Sequence, residues 1–191
     1  RGDTHQKDLK SSQSVNVKLL KNPCPGLWAA VGRICTTACL ALMLLLASGQ
    51  AQAFQLQAMD ASRVNLNDYV GGGEWTLVMF WSTDCIPCEQ QKPMIEAFHR
   101  DHEGRDARVV GIALDGMEAR EEIQSLIDRH HPTYPNLVVF TDVFQRQFKE
   151  LTGKDFRATP TYLLYNPAGE LAGARSGVIE RALLESVVSG S

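Results

Sequence analysis

The feature that most constrains this chain is the unbroken apolar run Trp75-Thr-Leu-Val-Met-Phe-Trp81, which is of strand length and carries no polar alternation. A strand with one wet face alternates apolar and polar residues, so a run of this kind predicts a strand covered on both faces. Arg108-Val-Val-Gly-Ile-Ala-Leu114 repeats the pattern, and Leu137-Val-Val-Phe140 gives a third, shorter strand. Between these runs the period changes. Residues 85 to 102 place Ile86, Met94, Ile95 and Phe98 at helical spacings, with Pro87 tolerable in the first turn and Pro93 expected to kink the helix. Glu118 to Arg129 reads as an amphipathic helix stopped by His130-His131-Pro132, and Phe144 to Leu151 as a short helix closed by Gly153.

Toward the carboxyl end, Thr161 to Tyr165 and Leu171 to Arg175 read as strands joined across Asn166-Pro-Ala-Gly-Glu170, hence an antiparallel hairpin, and Ile179 to Val188 as a last helix. Asn65 to Val70 gives a short extended piece and a polar turn before a glycine hinge, Gly71 to Gly73. That hinge lacks the Lys-Ser/Thr and following helix of a phosphate cradle. The predicted order is strand-helix-strand-helix-strand-helix-strand-strand-helix, an α/β sandwich around a mixed sheet.

Residues 1–53 read differently. Arg33 precedes the apolar run 34–47, and Ala51-Gln-Ala53 follows it, which is the order of a secretory leader with cleavage expected after Ala53. The run is shorter than the roughly 20 residues of a bilayer span, so an uncleaved anchor is the weaker alternative. The polar stretch before it reads as a long leader or as sequence upstream of the true start. The expected organisation is thus a leader over 1–53 and one domain over 54–191.

The whole chain of 191 residues carries a formal charge of −3, but residues 54–191 hold 13 Lys/Arg against 20 acids, a net of −7. Nucleic-acid binding leans on clustered basic residues, so no nucleic-acid partner is expected. Export implies an oxidising compartment, where cysteine usage is informative. Cys24, Cys35 and Cys39 fall in the leader, and the domain keeps Cys85-Ile-Pro-Cys88. Two cysteines cannot staple a domain of this size; a lone close pair suggests chemistry.

Cys85 sits at the expected mouth of a helix, where unsatisfied backbone N–H groups and the positive end of the macrodipole favour a thiolate. It is the expected nucleophile. Cys88, one turn further in, can attack a mixed disulfide and release product, so the pair can pass two electrons. Asp84 and Glu89 bear on direction: a carboxylate beside Cys85 opposes the thiolate by roughly the amount the helix terminus favours it, and Ile86-Pro87 offers no polar stabiliser. That balance leans toward a reductant.

Phe80-Trp81-Ser-Thr-Asp-Cys85-Ile-Pro-Cys88, then Pro93, then Ala158-Thr159-Pro160-Thr161 leading a hairpin, resemble the thioredoxin superfamily, and within it the TlpA/ResA/CcmG group of exported thiol-disulfide oxidoreductases. The resemblance covers nearly all of residues 60–189. It implies a thioredoxin-like fold with an extra strand and helix between about 108 and 140, with Cys85 as attacker and Cys88 as resolver. It further implies a cis bond before Pro160, with Thr159 and Pro160 as a docking ledge for substrate, and Trp81 is a candidate for the same surface. No cofactor is implied. The implied partners are disulfide-containing client proteins and a membrane electron donor of the DsbD or CcdA kind, in the periplasm or anchored facing it, with cytochrome c maturation as a possible process served.

Three positions depart from the family: Met79 stands where thioredoxin has a buried Asp, Asp84 where the branch often has Trp, and Gln91 where some members have Glu. Other readings stay open on sequence alone. Disulfide donation by the same pair and a non-catalytic partner-binding domain are two alternatives. A metal-binding or copper-delivery module is a further reading, with His99 and His102 or His130 and His131 as added ligands. The gaps from Cys88 to His99 and between the two histidines are short for a zinc finger. His99 and His102 are expected to be solvated helix residues.

Overall fold

The computed structural model describes residues 54–190. The leader, its cleavage after Ala53 and the anchor alternative all lie outside the described residues. Among the described residues no helix is long and apolar enough to cross a membrane.

The strands are β1 (Gln55–Ala58), β2 (Arg63–Asn65), β3 (Trp75–Trp81), β4 (Ala107–Ala113), β5 (Asn136–Val139), β6 (Thr161–Tyr165) and β7 (Leu171–Ser176). The helices are α1 (Ile86–His102), α2 (Arg120–His130), α3 (Phe144–Thr152) and α4 (Arg181–Ser189). One mixed sheet runs β2-β1-β5-β4-β3-β6-β7. β3 pairs parallel with β4 from Trp75↔Ala107 to Trp81↔Ala113, and antiparallel with β6 from Thr76↔Tyr165 to Phe80↔Thr161. β4 and β5 are parallel, whereas β1 joins β5 antiparallel.

The apolar run of β3 is buried from Thr76 to Trp81, as its lack of alternation requires. Leu77, Met79 and Trp81 face a core shared with Ile95 and Phe98 of α1, Ile123 and Leu126 of α2, and Leu184 and Val188 of α4. Val78 and Phe80 face the other core, with Phe54, Leu56, Leu66 and the α3 residues Phe144 and Phe148. Phe80 is the centre of an aromatic group, its ring centroid 5.6 Å from Phe144, 5.7 Å from Phe148 and 5.9 Å from Phe54.

The extended piece and polar turn expected at Asn65 are the end of β2 and a 3-10 turn, Leu66–Asp68, closed by reciprocal bonds between Asn65 and Asp68. Other expectations change. The β1–β2 hairpin before it was not expected. Helix α1 is continuous through Pro93, which lies on its exposed side. α2 is preceded by a 3-10 turn, Met117–Ala119, and ends at His131 in the left-handed conformation, φ 47°. Gly71 and Gly169 both have positive φ, and a Cβ on Gly169 would lie 3.4 Å from Gly71 Cα, so this backbone crossing favours glycine.

Candidate active site: a disulfide at the mouth of α1

β3 ends at Trp81 and the chain turns through Ser82-Thr83-Asp84 into α1. This is where a parallel-sheet unit presents its strand ends, and side chains placed here face the rim of the fold. Cys85 is the N-cap residue of α1, with extended φ −88° and ψ 93°, and its Sγ accepts from the Cys88 backbone N–H at 3.1 Å. Sulfur thus stands where a capping oxygen ordinarily stands. Pro87 in the first turn lacks an N–H that would have been orphaned anyway.

A disulfide joins Cys85 and Cys88. Cys85 keeps 6% of its surface and Cys88 none. The order of exposure matches an outer attacking sulfur and an inner resolving one.

The loop before Cys85 is tied down from two directions. Thr83 donates to Asp115 from its backbone N–H, at 3.1 Å to each carboxylate oxygen, and from its hydroxyl at 2.7 Å. Asp115 follows β4, so the neighbouring parallel strand fixes the active-site loop. Ser82 Oγ donates to Asp84 Oδ1 at 2.8 Å and lies 3.3 Å from Thr159 Oγ1. Thr159 is half-buried, Pro160 is buried, and the peptide between them is cis. The loop carrying Thr159 and Pro160 therefore lies against the loop carrying Cys85. Thr161 hydroxyl donates to Ala158 O at 2.6 Å, which holds that turn ahead of β6.

Trp81, a candidate for the docking surface or the core, is a core residue with 1% exposure. Residue 81 shares its face of β3 with Leu77 and Met79, and Lys92 of α1 covers its ring at 3.9 Å. Gln91 ties α1 to the opposite side of the core, its Oε1 accepting from Tyr162 OH at 3.1 Å and from Ile179 N–H at 2.8 Å.

His99 and His102 are also corrected: both are buried, and neither points toward the cysteines' partners in a metal array. His99 Nδ1 accepts from Val109 N–H at 3.2 Å, across to β4. His102 bonds Asp106 Oδ1 through Nδ1 at 2.7 Å and Glu185 Oε2 of α4 through Nε2 at 2.9 Å. Among the described residues no group of three or more His, Cys, Asp or Glu is placed to hold a metal ion. His130 turns to Glu89 instead, Nε2 to Oε2 at 2.5 Å.

Sequence reasoning gives no role to Asp115, Ser82 or Lys92; it weighs Glu89 only as a carboxylate near the thiol and His130 only as a helix-end residue or metal ligand, and the joining of Lys92 and His130 through Glu89 escapes it. Asp115 meets Thr83 through the sheet, which no local pattern reveals.

Comparison with known proteins places this geometry among relatives. The family model described as the AhpC/TSA family matches residues 47–174. The thiol-disulfide oxidoreductase ResA of Halalkalibacterium halodurans is 24% identical over 139 residues, 73% of this chain and 73% of the relative. The sporulation thiol-disulfide oxidoreductase A of Bacillus subtilis is 23% identical over 106 residues, 55% of this chain and 61% of that protein. Among solved structures, a thiol:disulfide interchange protein of the thioredoxin family from Chlorobium tepidum superposes with a TM-score of 0.60 at 20% identity, over 72% of this chain and 92% of that one. That last likeness is one of fold.

Proposed function

The chain belongs to the AhpC/TSA family and is a thiol-disulfide oxidoreductase of thioredoxin-like fold, and from that premise we propose that it reduces disulfides in exported client proteins. The observation that carries the reading is the Cys85–Cys88 disulfide at the start of α1, with the outer sulfur accepting from the inner residue's N–H.

In the reduced protein the Cys85 thiolate attacks one sulfur of a client disulfide. A Cys85–client bond forms, and the other client sulfur leaves with the electron pair as a thiolate. Cys88 then loses its proton to solvent and attacks Cys85 Sγ, which closes the intramolecular disulfide and expels the second client thiolate. Two electrons have moved from this protein to the client. Thr159 and Pro160 are the docking ledge beside Cys85, a role supported by their contact with the Ser82 loop.

What surrounds Cys85 supports that direction. The N-cap bond and the helix terminus favour its thiolate, whereas Asp84 and the apolar Ile86-Pro87 insert withhold any further stabilisation. A reduced form that is not specially stabilised makes a reductant. The protein then works in the periplasm, free or anchored facing it, after export through the leader of residues 1–53 with cleavage after Ala53. A membrane donor of the DsbD or CcdA kind returns the two electrons.

The test is the reduction potential of the pair, measured by equilibration with a glutathione buffer. A value near thioredoxin's, about −270 mV, is expected, and one near about −120 mV would instead make the same site a disulfide donor.

A further inference from the structure

Cys88, Lys92, Ile95, His99 and His102 follow one another along α1 at spacings of four and three, and all five are buried. They form the seam that the helix presses onto the sheet, and Lys92 is an ammonium in that seam with 5% exposure. Taking such a group out of water costs several kcal/mol unless it is paired and hydrogen-bonded. The exchange steps described so far make no use of it.

Its surroundings are specific. Nζ lies 3.9 Å above the Trp81 ring and donates to Glu89 Oε1. The other Glu89 oxygen is taken by His130 Nε2, reaching from the last residue of α2. Helix side chains lean toward the amino terminus, and residues four apart share a face. Lys92 therefore lies back over the turn that holds Cys88, and its bond to the residue after Cys88 fixes it there. Trp81, Cys85 and Cys88 belong to one continuous buried cluster, so the field of this ammonium acts through protein rather than water.

The remaining charges that face it are Arg129 of α2 and Asp115 after β4. Burial lowers the Lys92 pKa, with Glu89 pulling the other way. Burial would raise the Glu89 carboxyl, but hydrogen bonds from Lys92 and His130 outweigh it and hold the group below its ordinary range. Lys92 and Glu89 form an ion pair, with His130 on the second carboxylate oxygen.

We propose that Lys92 is a positioning residue for the resolving step, its buried ammonium favouring the Cys88 thiolate that expels the client, with Glu89 setting how much of that charge is felt. A positive charge beside a thiol favours ionisation, and a carboxylate counters it. Met79 leaves β3 without a carboxylate here, so in this chain the charge that acts on the inner sulfur comes from the active-site helix itself. The proposal rests on the dithiol reading above.

The experiment is single-turnover release of the second client thiol by the full-length reduced protein between pH 5 and 9, in wild type, Lys92→Met and Glu89→Gln. Methionine keeps the buried volume without the charge. In Lys92→Met the pH profile should move to higher pH. At neutral pH release should slow roughly threefold for each unit of that movement, because the thiolate fraction falls about tenfold while its nucleophilicity rises about threefold. Glu89→Gln, which leaves the ammonium less neutralised, should move the profile to lower pH. A folded Lys92→Met with the wild-type profile overturns the proposal. Should Lys92→Met fail to fold by circular dichroism, Glu89→Gln decides alone, and an unmoved or upward profile overturns it. A wild-type protein that releases no client thiol would sink the dithiol reading instead.

Discussion

The Cys88 backbone N–H donates to Cys85 Sγ at 3.1 Å, so the sulfur that leads the active-site helix is also its cap. Capping and chemistry share one atom. This bond, together with the greater exposure of Cys85, distinguishes two sulfurs that are three residues apart.

That distinction should show in labelling. A brief pulse of iodoacetamide on the reduced protein is expected to modify Cys85 well before Cys88, read by peptide mass spectrometry. Cys88→Ser should accumulate a mixed disulfide with clients, whereas Cys85→Ser should neither trap nor turn over. Equal labelling of the two cysteines would contradict the assignment of roles.

The loop before Cys85 depends on Asp115, which accepts from Thr83 three times. Asp115→Ala leaves a partly buried N–H and hydroxyl without their charged acceptor, which costs about 1–3 kcal/mol. Urea unfolding should show a lower midpoint of that order. Turnover should fall as well, since the loop that aims Cys85 loses its anchor to β4. An unchanged midpoint would mean that water replaces the carboxylate without penalty.

Much of this architecture was legible before any coordinates. The runs at 75–81 and 108–114 are apolar without alternation, and only strands covered on both faces satisfy that. The Cys85-x-x-Cys88 pair stood at a helix mouth because an apolar period of 3.6 begins there. What escaped was set by distant partners. Gln55-Leu-Gln-Ala58 has too little apolar content to announce a strand, and it becomes one by pairing with β5, some 80 residues on. His99 and His102 look like solvent residues by type, yet both are buried, Val109 N–H donating to His99 Nδ1 and both ring nitrogens of His102 bonding Asp106 and Glu185. Trp81 was a candidate for the docking surface by its closeness to the cysteines and equally a core residue as the end of a buried strand; its parity with Leu77 and Met79 decides for the core. The polar turn read at Asn65-Leu-Asn-Asp68 is a 3-10 turn closed by its capping pair.

Phe80 should be the most costly single truncation away from the chemistry. Its ring is fully buried and meets Phe54, Phe144, Phe148 and Phe156. Phe80→Ala is expected to destabilise the protein by about 3–5 kcal/mol. The reduction potential of the folded fraction should stay as in wild type, because Phe80 faces the opposite core from the cysteines. A shifted potential would show that the two faces of β3 are coupled.

Acid should loosen the contact between α1 and α4. The hydrogen bond from His102 holds the Asp106 carboxyl below its ordinary range, and that from Arg181 does the same for Asp101. Carboxyls depressed in the folded state stabilise it above the unfolded value, near about pH 4, and lose that contribution as pH falls through the folded values. Their contribution is thus flat from neutrality to about pH 4 and declines below it. Arg181→Ala should make the acid limb of urea midpoint against pH shallower, while lowering the neutral midpoint only slightly, since the pair is exposed. An acid limb as steep as wild type would remove Asp101 from the account.

Asp84 tests the balance on which the direction of electron flow depends. It sits immediately before Cys85 and is exposed, its Oδ1 held by Ser82. A charge at an exposed helix terminus is worth about 0.3–1 kcal/mol, so Asp84→Asn should speed alkylation of reduced Cys85 at neutral pH by about 1.3- to 2.3-fold, the gain in thiolate being partly offset by its lower nucleophilicity. The rate profile should move to lower pH, and the potential of the pair should rise because the thiolate of the reduced form is better stabilised. High salt should narrow the difference between the two proteins, since the carboxylate acts through solvent. A rate unchanged by the substitution at low salt would mean that the cap bond from Cys88 alone sets the reactivity of Cys85, and the electrostatic case for a reductant would then rest on Ile86-Pro87.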